Sequence, residues 1–233
     1  MDRRCYMCRA GVILSGCGGK DGTDIAEAVM LFLALDRAGV ETICMSIDKD
    51  QFEVVNHLEG SIQTSGQKRN MLIESARLAC GGIVNLDGVE NVDFDILVIP
   101  GGKGVLKNLS TFMSEELEFR VNSVVQRIIV NTHLSGKPVG AMCGAVVLLA
   151  KSLENFVESL KITATGQSEE GRIAIERAGF SHHDCQEGEV LIDDENLIVT
   201  SPALSPDVDL EVVRSTAESM VKALLTLITD KAL

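Results

Sequence analysis

The chain has 233 residues, of which 45% are hydrophobic and 24% charged, and its 21 basic and 34 acidic residues give a formal net charge of -13. That composition fills a full hydrophobic core, which excludes global disorder, and a pI near 4.7 argues against phosphate backbones and anionic lipid surfaces as partners. Aromatics at 3%, without Trp, leave neither stacking platforms for single-stranded nucleic acid nor aromatic belts for a membrane.

Arg3 and Arg4 precede an apolar run only over 10–14, too short for a signal h-region, and Asp2 argues against a transit peptide, so the expected address is cytoplasmic. The longest apolar runs, 28–35 and 139–150, fall short of the roughly 20 residues of a spanning helix. Seven cysteines, an odd number, read as reduced thiols rather than a disulfide framework. Cys5 and Cys8 have knuckle spacing but lack a second pair, so they read as incidental within a loose extension over 1–8, and no metal is expected.

Apolar periodicity then alternates between strand and helix. A strand over 10–15 runs into the turn Gly16-Cys17-Gly18-Gly19, and Ile25, Ala28, Val29, Phe32 and Leu35 give a helix over 24–37 closed by Gly39. A strand over 42–47, a helix over 69–79 and a buried strand over 94–100 closed by Pro100-Gly101-Gly102 follow, then a helix over 114–133. A short strand over 137–142 enters a helix over 144–153; residues 189–200 form a hairpin turning at 193–196, and Pro206 opens a helix over 207–229. This alternation predicts a single α/β domain over 1–233, with a mostly parallel sheet covered on both faces.

In such sheets ligands bind at the carboxyl ends of the strands, so the turns at Gly16, Pro100 and Cys143 converge on one edge. Cys143 falls between a short strand and a helix among Ala141, Gly144 and Ala145, and a tight elbow that presents a nucleophile needs such small neighbours. A helix start also favours the thiolate. Spacing alone leaves a nucleophile and a buried structural cysteine both open. Glu27 either completes a capping box with Asp24 or points into the same edge; beside Cys143 and away from water it would be protonated and would donate to the sulfur. The glycines of Pro100-Gly101-Gly102-Lys103-Gly104 leave backbone N–H groups free to approach a ligand oxygen. The turn at 16–21 with Asp48 imitates a dinucleotide-binding fingerprint, but Asp21 replaces the third glycine and the helix starts too late to face phosphates. His182-His183-Asp184 with Cys185 reads as a solvated polar loop.

Several strings together carry a resemblance through most of the chain: Gly11-Val-Ile-Leu-Ser-Gly-Cys-Gly18, Asp21-Gly22, Glu27-Ala28, Val55-Asn-His-Leu58, Leu72-Ile-Glu74, Pro100-Gly-Gly102, Lys107-Asn-Leu-Ser110, Gly136-Lys-Pro138 and Met142-Cys143. On these the chain resembles the class I glutamine-amidotransferase-like superfamily, in the branch of the PfpI proteases and the Parkinson-disease protein deglycase, and within it the ElbB-like group with its mitochondrial eukaryotic relatives. The resemblance implies a flavodoxin-like three-layer α/β/α sandwich, a nucleophilic Cys143, a partner carboxylate at Glu27 and backbone donors at Gly102 and Gly144. It also implies a substrate region of Gly16, Cys17, Gly18 and Asn108, no cofactor, and a homodimer.

Two positions depart from the family pattern: Ala26 stands where a His is common, and Gly144-Ala145-Val146 replaces Ile-Ala-Pro after the cysteine. Thr200-Ser-Pro-Ala203 occupies the region of the amidotransferase His and Glu, so glutamine hydrolysis is not expected. The expected activity is glyoxalase-like conversion of small 2-oxoaldehydes to 2-hydroxyacids through Cys143 and Glu27. The alternatives are a thiol redox sensor using the same cysteine and, more remotely, a Rossmann-like nucleotide binder.

Overall fold

In the computed structural model, which describes residues 8–63, 66–88, 92–115, 118–163, 169–204 and 207–230, the first half of the chain runs β1 (Cys8–Ile13), α1 (Ile25–Arg37), β2 (Val40–Ser46), β3 (Val55–Asn56), β4 (Ser61–Ile62), α2 (Met71–Leu78), β5 (Ile83–Asn85), β6 (Ile96–Ile99) and α3 (Lys103–Asn108). The second half runs α4 (Phe112–Glu115), α5 (Ser123–Leu134), β7 (Val139–Met142), α6 (Ala145–Leu153), β8 (Lys161–Ile162), α7 (Glu169–Arg177), β9 (Ser181–His182), β10 (Leu191–Asp193), β11 (Ile198–Ser201) and α8 (Leu210–Asp230). Seven strands form one sheet in the order β10-β11-β7-β6-β1-β2-β5, parallel throughout except for the antiparallel edge strand β10. This is the flavodoxin-like α/β arrangement with a mostly parallel central sheet.

The central strands are apolar on both faces because helices cover both. β6 is buried at all four positions. On one face Ile13, Leu97, Ile99, Val139 and Ala141 pack under Val125 and Ile129 of α5 and Val146 and Leu149 of α6. On the other, Val12, Val98, Met142 and Val199 meet Leu31 and Leu35 of α1 and Met220 and Leu224 of α8. No helix among the described residues is long and apolar enough to cross a membrane.

The structure departs from the sequence expectation in three places. The helix expected over 114–133 is two, because the Asn122 side chain accepts the Val124 and Val125 N–H groups and caps α5 afresh. The connection buries Phe119 edge-on against Phe112, with ring centroids 5.0 Å apart. Cys8 belongs to β1 and pairs with Val40, not to a loose extension; Cys5 and Pro206 lie outside the described residues. The short elements β3, β4, β5, β8, β9, α3 and α7 had not been anticipated, being too brief or too polar to show a period.

The turns after β1 and β6 are zipped together by main-chain bonds: Asp24 N–H donates to Gly101 O at 2.9 Å, Lys103 N–H to Gly19 O at 2.9 Å and Gly104 N–H to Gly22 O at 3.0 Å. The backbones approach so closely that a Cβ on Gly104 would lie 2.3 Å from Gly22 Cα, whereas a Cβ on Gly39 would meet nothing within 4 Å. Gly104→Ala is therefore expected to cost about 3 kcal/mol, since rigid backbone cannot yield, and Gly39→Ala only about 1 kcal/mol from its positive φ. Urea unfolding of the two variants checks the ordering; equal losses would show that the zipper tolerates side chains.

Candidate active site

Cys143 sits between β7 and α6 with φ 51°, in the left-handed region that disfavours a side chain. The strain is held from both sides, by Cys143 N–H donating to Ser201 O at 3.2 Å and by Cys143 O accepting from Val146 N–H at 3.1 Å. The residue is half-buried, with fully buried Ala141 and Ala145 close on either side of it. The backbone N–H groups of Gly144 and Gly102 lie on the sulfur's side of the elbow and favour its ionised form.

Glu27 lies on the first turn of α1 and is only 6% exposed. The structure separates its two readings. Asp24 does cap the helix, accepting Glu27 N–H at 3.1 Å, but the reciprocal half of a capping box is not made, because Asp24 N–H donates to Gly101 O. The Glu27 carboxylate instead accepts Gly101 N–H through Oε2 at 2.7 Å. A Cβ on Gly101 would lie 2.5 Å from Cys143 Cβ and 2.7 Å from Glu27 Oε2, so this glycine is the space in which the thiol and the carboxylate meet. The sequence reading credited the Pro-Gly-Gly turn with donors but missed this spacer role, which no local pattern encodes.

Burial pushes the Glu27 carboxyl from its ordinary 4.5 up to about 7, with Asp24 adding to the shift and the Gly101 N–H opposing it. The Cys143 thiol moves the opposite way from the sequence expectation. Burial first, and then the Glu27 carboxylate, push it from 9.0 up to about 12, against the pull of the Gly144 and Gly102 N–H groups. A helix start does not activate a thiol packed against an acid. The carboxyl therefore gives up its proton near pH 7, while the thiol beside it keeps its own up to about pH 12.

The remaining expected residues serve the protein rather than an open site. Asn108 Nδ2 donates to Ser15 O and Asp21 O, both at 2.8 Å, while its Oδ1 accepts Phe52 N–H at 2.8 Å, so its side chain braces the turn after β1. Gly16 N–H donates to Ser75 Oγ and Gly18 N–H to Thr23 O, so neither offers a donor to a ligand. Cys17 stays half-buried, its thiol pKa raised mainly by burial. His57, carried in the Val55-Asn-His-Leu58 string, closes the same turn by accepting Lys20 N–H through Nε2 at 3.3 Å.

The dinucleotide reading fails on the same geometry. Asp21 is buried and accepts Val55 N–H at 2.7 Å, the N–H groups of Gly22 and Thr23 are spent inside the turn, and Asp48 accepts from Asn70 Nδ2 at 2.6 Å. The Gly16, Gly18, Gly22 and Thr23 N–H groups, which a pyrophosphate would need, are thus already engaged, and a buried carboxylate occupies the turn. No group of three or more His, Cys, Asp or Glu side chains among the described residues is arranged to hold a metal ion.

Residues 19–215 match the model of the DJ-1/PfpI family. The human glutamine amidotransferase-like class 1 domain-containing protein 3, a mitochondrial protein, is 35% identical over 227 residues, covering 94% of this chain and 83% of its own length. The crystal structure of an isoprenoid biosynthesis protein with an amidotransferase-like domain from Ehrlichia chaffeensis superposes with a TM-score of 0.84 at 31% identity, covering 94% of this chain and 99% of that one. Glyoxalase III from Candida albicans shares the fold at 15% identity and a TM-score of 0.59, over 94% of this chain and 98% of that one. The cytoplasmic address expected from the first residues is corrected by the curated relatives, which are mitochondrial. Charge, hydropathy and thiol content describe how a domain folds and do not encode its compartment.

Because the folded state holds the Glu27 proton more tightly than the unfolded chain, its contribution to stability is complete below about pH 4.5 and is lost as the pH rises through about 7. The loss is on the order of 3 kcal/mol. Glu27→Gln keeps the contact to Gly101 and has no proton to lose, so over that window its unfolding free energy should stay flat while that of the parent falls; parallel curves would assign the loss elsewhere. Because Glu27, once ionised near pH 7, adds to the burial that holds the Cys143 thiol protonated, alkylation by iodoacetamide should stay slow through neutrality and rise only in the alkaline range, and Glu27→Gln should move that rise to lower pH.

Proposed function

The chain belongs to the DJ-1/PfpI family, and from that premise we propose that it is a cofactor-independent cysteine enzyme that converts small 2-oxoaldehydes to 2-hydroxyacids. One observation carries the reading: a half-buried thiol on a strained elbow, two backbone N–H donors and a buried carboxyl whose proton affinity lies near neutrality all meet at Gly101. A general acid-base works best with a pKa near the operating pH, and Glu27 is tuned there by burial.

The chemistry follows from that arrangement. As the Cys143 sulfur adds to the aldehyde carbon its proton passes to the Glu27 carboxylate, and the new oxyanion forms on that carbon, two bonds from the sulfur and beside the Gly102 and Gly144 N–H groups. Glu27 returns its proton to this oxygen, moves the hydrogen of the former aldehyde carbon as a proton to the neighbouring carbonyl oxygen to give an enediol, and then takes the hydroxyl proton from the sulfur-bearing carbon and places it on the neighbouring carbon, leaving a thioester. Water cleaves the thioester, releasing the 2-hydroxyacid and regenerating the thiol, so the net reaction adds one water and needs no redox partner. Ala26 places no imidazole beside Glu27, so the single carboxyl carries every proton transfer. A sensor built on Cys143 is the weaker reading, because a buried carboxyl that takes up and returns a proton near neutrality serves acid-base chemistry and is not needed to register oxidation.

Purified protein is expected to turn methylglyoxal into lactate without glutathione, and Cys143→Ala to abolish the turnover. Glu27→Gln should lower kcat/KM by about 10²–10⁴-fold, the range general acid-base catalysis supplies, with native secondary structure retained. Absence of turnover in the parent, or turnover that survives Cys143→Ala, would overturn the enzyme reading.

A further inference from the structure

The second thiol pair in the molecule lies away from Cys143, between β2 and the C-terminal end of α2. Cys44 points from β2 into the core beneath α1 and α2, where Leu78 and Ala79 pack against its cluster. The register between strand and helix is fixed by Ser75 Oγ donating to Ser46 Oγ at 3.1 Å. Past the end of α2 the chain turns into β5, where Ile83 is the Cα partner of Cys44 in the parallel ladder, and Ala79 and Ile83 both pack against the cluster that holds Cys44. Cys80 lies between those two residues, at the same end of β2 as Cys44. The thiols accordingly sense each other: burial first, and then Cys80, push Cys44 up to about 11.

Cys80 itself occupies an unusual place. Gly81 N–H donates to Ala76 O at 2.8 Å and Cys80 has φ 50°, so the helix ends in a Schellman motif with Cys80 at the left-handed position that glycine ordinarily takes. Two glycines, Gly81 and Gly82, follow directly, so the strained residue is a cysteine with glycine next door. Cys80 is exposed and Cys44 is buried, the arrangement of an attackable thiol above a resolving one.

We propose that Cys44 and Cys80 are a redox-convertible dithiol whose disulfide pins α2 to the sheet. Hydrogen peroxide oxidises Cys80 to the sulfenic acid with release of one water; the Cys44 sulfur then displaces hydroxide from it, and with the Cys44 proton a second water leaves as the S–S bond forms. Peroxide takes up the two electrons that the thiols give up, and a dithiol reductant reverses the step.

The test treats the full chain with equimolar hydrogen peroxide, blocks remaining thiols under denaturing conditions and maps peptides without reduction. The expected product is a crosslinked peptide containing Cys44 and Cys80, two hydrogens lighter than the sum of its parts and cleaved by dithiothreitol, with Cys44 largely lost to alkylation. Cys80→Gly suits the backbone and should fold; in it Cys44 should stay fully alkylatable after the same treatment. The proposal is overturned if Cys80 proceeds to sulfinic acid or links to another chain while Cys44 remains free, or if Cys44 is lost equally in Cys80→Gly. Because Cys143 is read on its own peptide, failure here leaves the carbonyl chemistry untouched, and the reverse holds.

Discussion

The close approach of two turns is the constraint on which the rest of the molecule depends. Where the chain leaves β1 and where it leaves β6, backbone meets backbone with no side chain between, and the contact holds only because Gly22, Gly102 and Gly104 lack a Cβ. Main-chain hydrogen bonds across the seam fix the start of α1 against the start of α3. Glu27 is carried by the first of these helices and its acceptor contact by the turn before the second, so the carboxylate is aimed by the seam and not by its own helix. The sheet then delivers Cys143 to the same point from β7, the strand beside β6.

Acidity at the site is an outcome of this closeness. A carboxyl in water and a thiol at a helix start would ionise independently, one near pH 4 and the other below its usual value. Enclosed together over Gly101, both are raised by burial, and the Glu27 carboxylate further opposes ionisation of the thiol. The N–H groups of Gly102 and Gly144 lessen that shift without reversing it. Reactivity thus resides in the pair, with the carboxylate as the base that the thiol's proton requires.

Much of the architecture was legible in the sequence because β1, β2, β6, β7 and the long helices carry strong apolar periods over a sheet buried on both faces. The convergence of the turns at Gly16, Pro100 and Cys143 followed from parallel topology alone. The acidity of Cys143 did not, because local sequence reports the helix start and not the carboxylate that topology brings from 116 residues away. The bracing by Asn108 was hidden for a related reason: its partners, Ser15, Asp21 and Phe52, come from segments that local sequence does not connect to it. The break between α4 and α5 was hidden by apolar residues that keep a helical beat through 114–133 while Asn122 interrupts the backbone.

The Ser75 hydroxyl links the site's outer turn to the sheet through a chain with one direction: Gly16 N–H donates to Ser75, Ser75 to Ser46, and Ser46 to Leu14 O at 2.9 Å. Every member is buried, so no solvent molecule substitutes for a missing link. A surface turn of glycines would ordinarily exchange its amide hydrogens within moments, yet here the Gly16 amide belongs to the same cooperative unit as the strands beneath it. The turn therefore opens only when that unit opens, and it forms a fixed wall of the site and not a door.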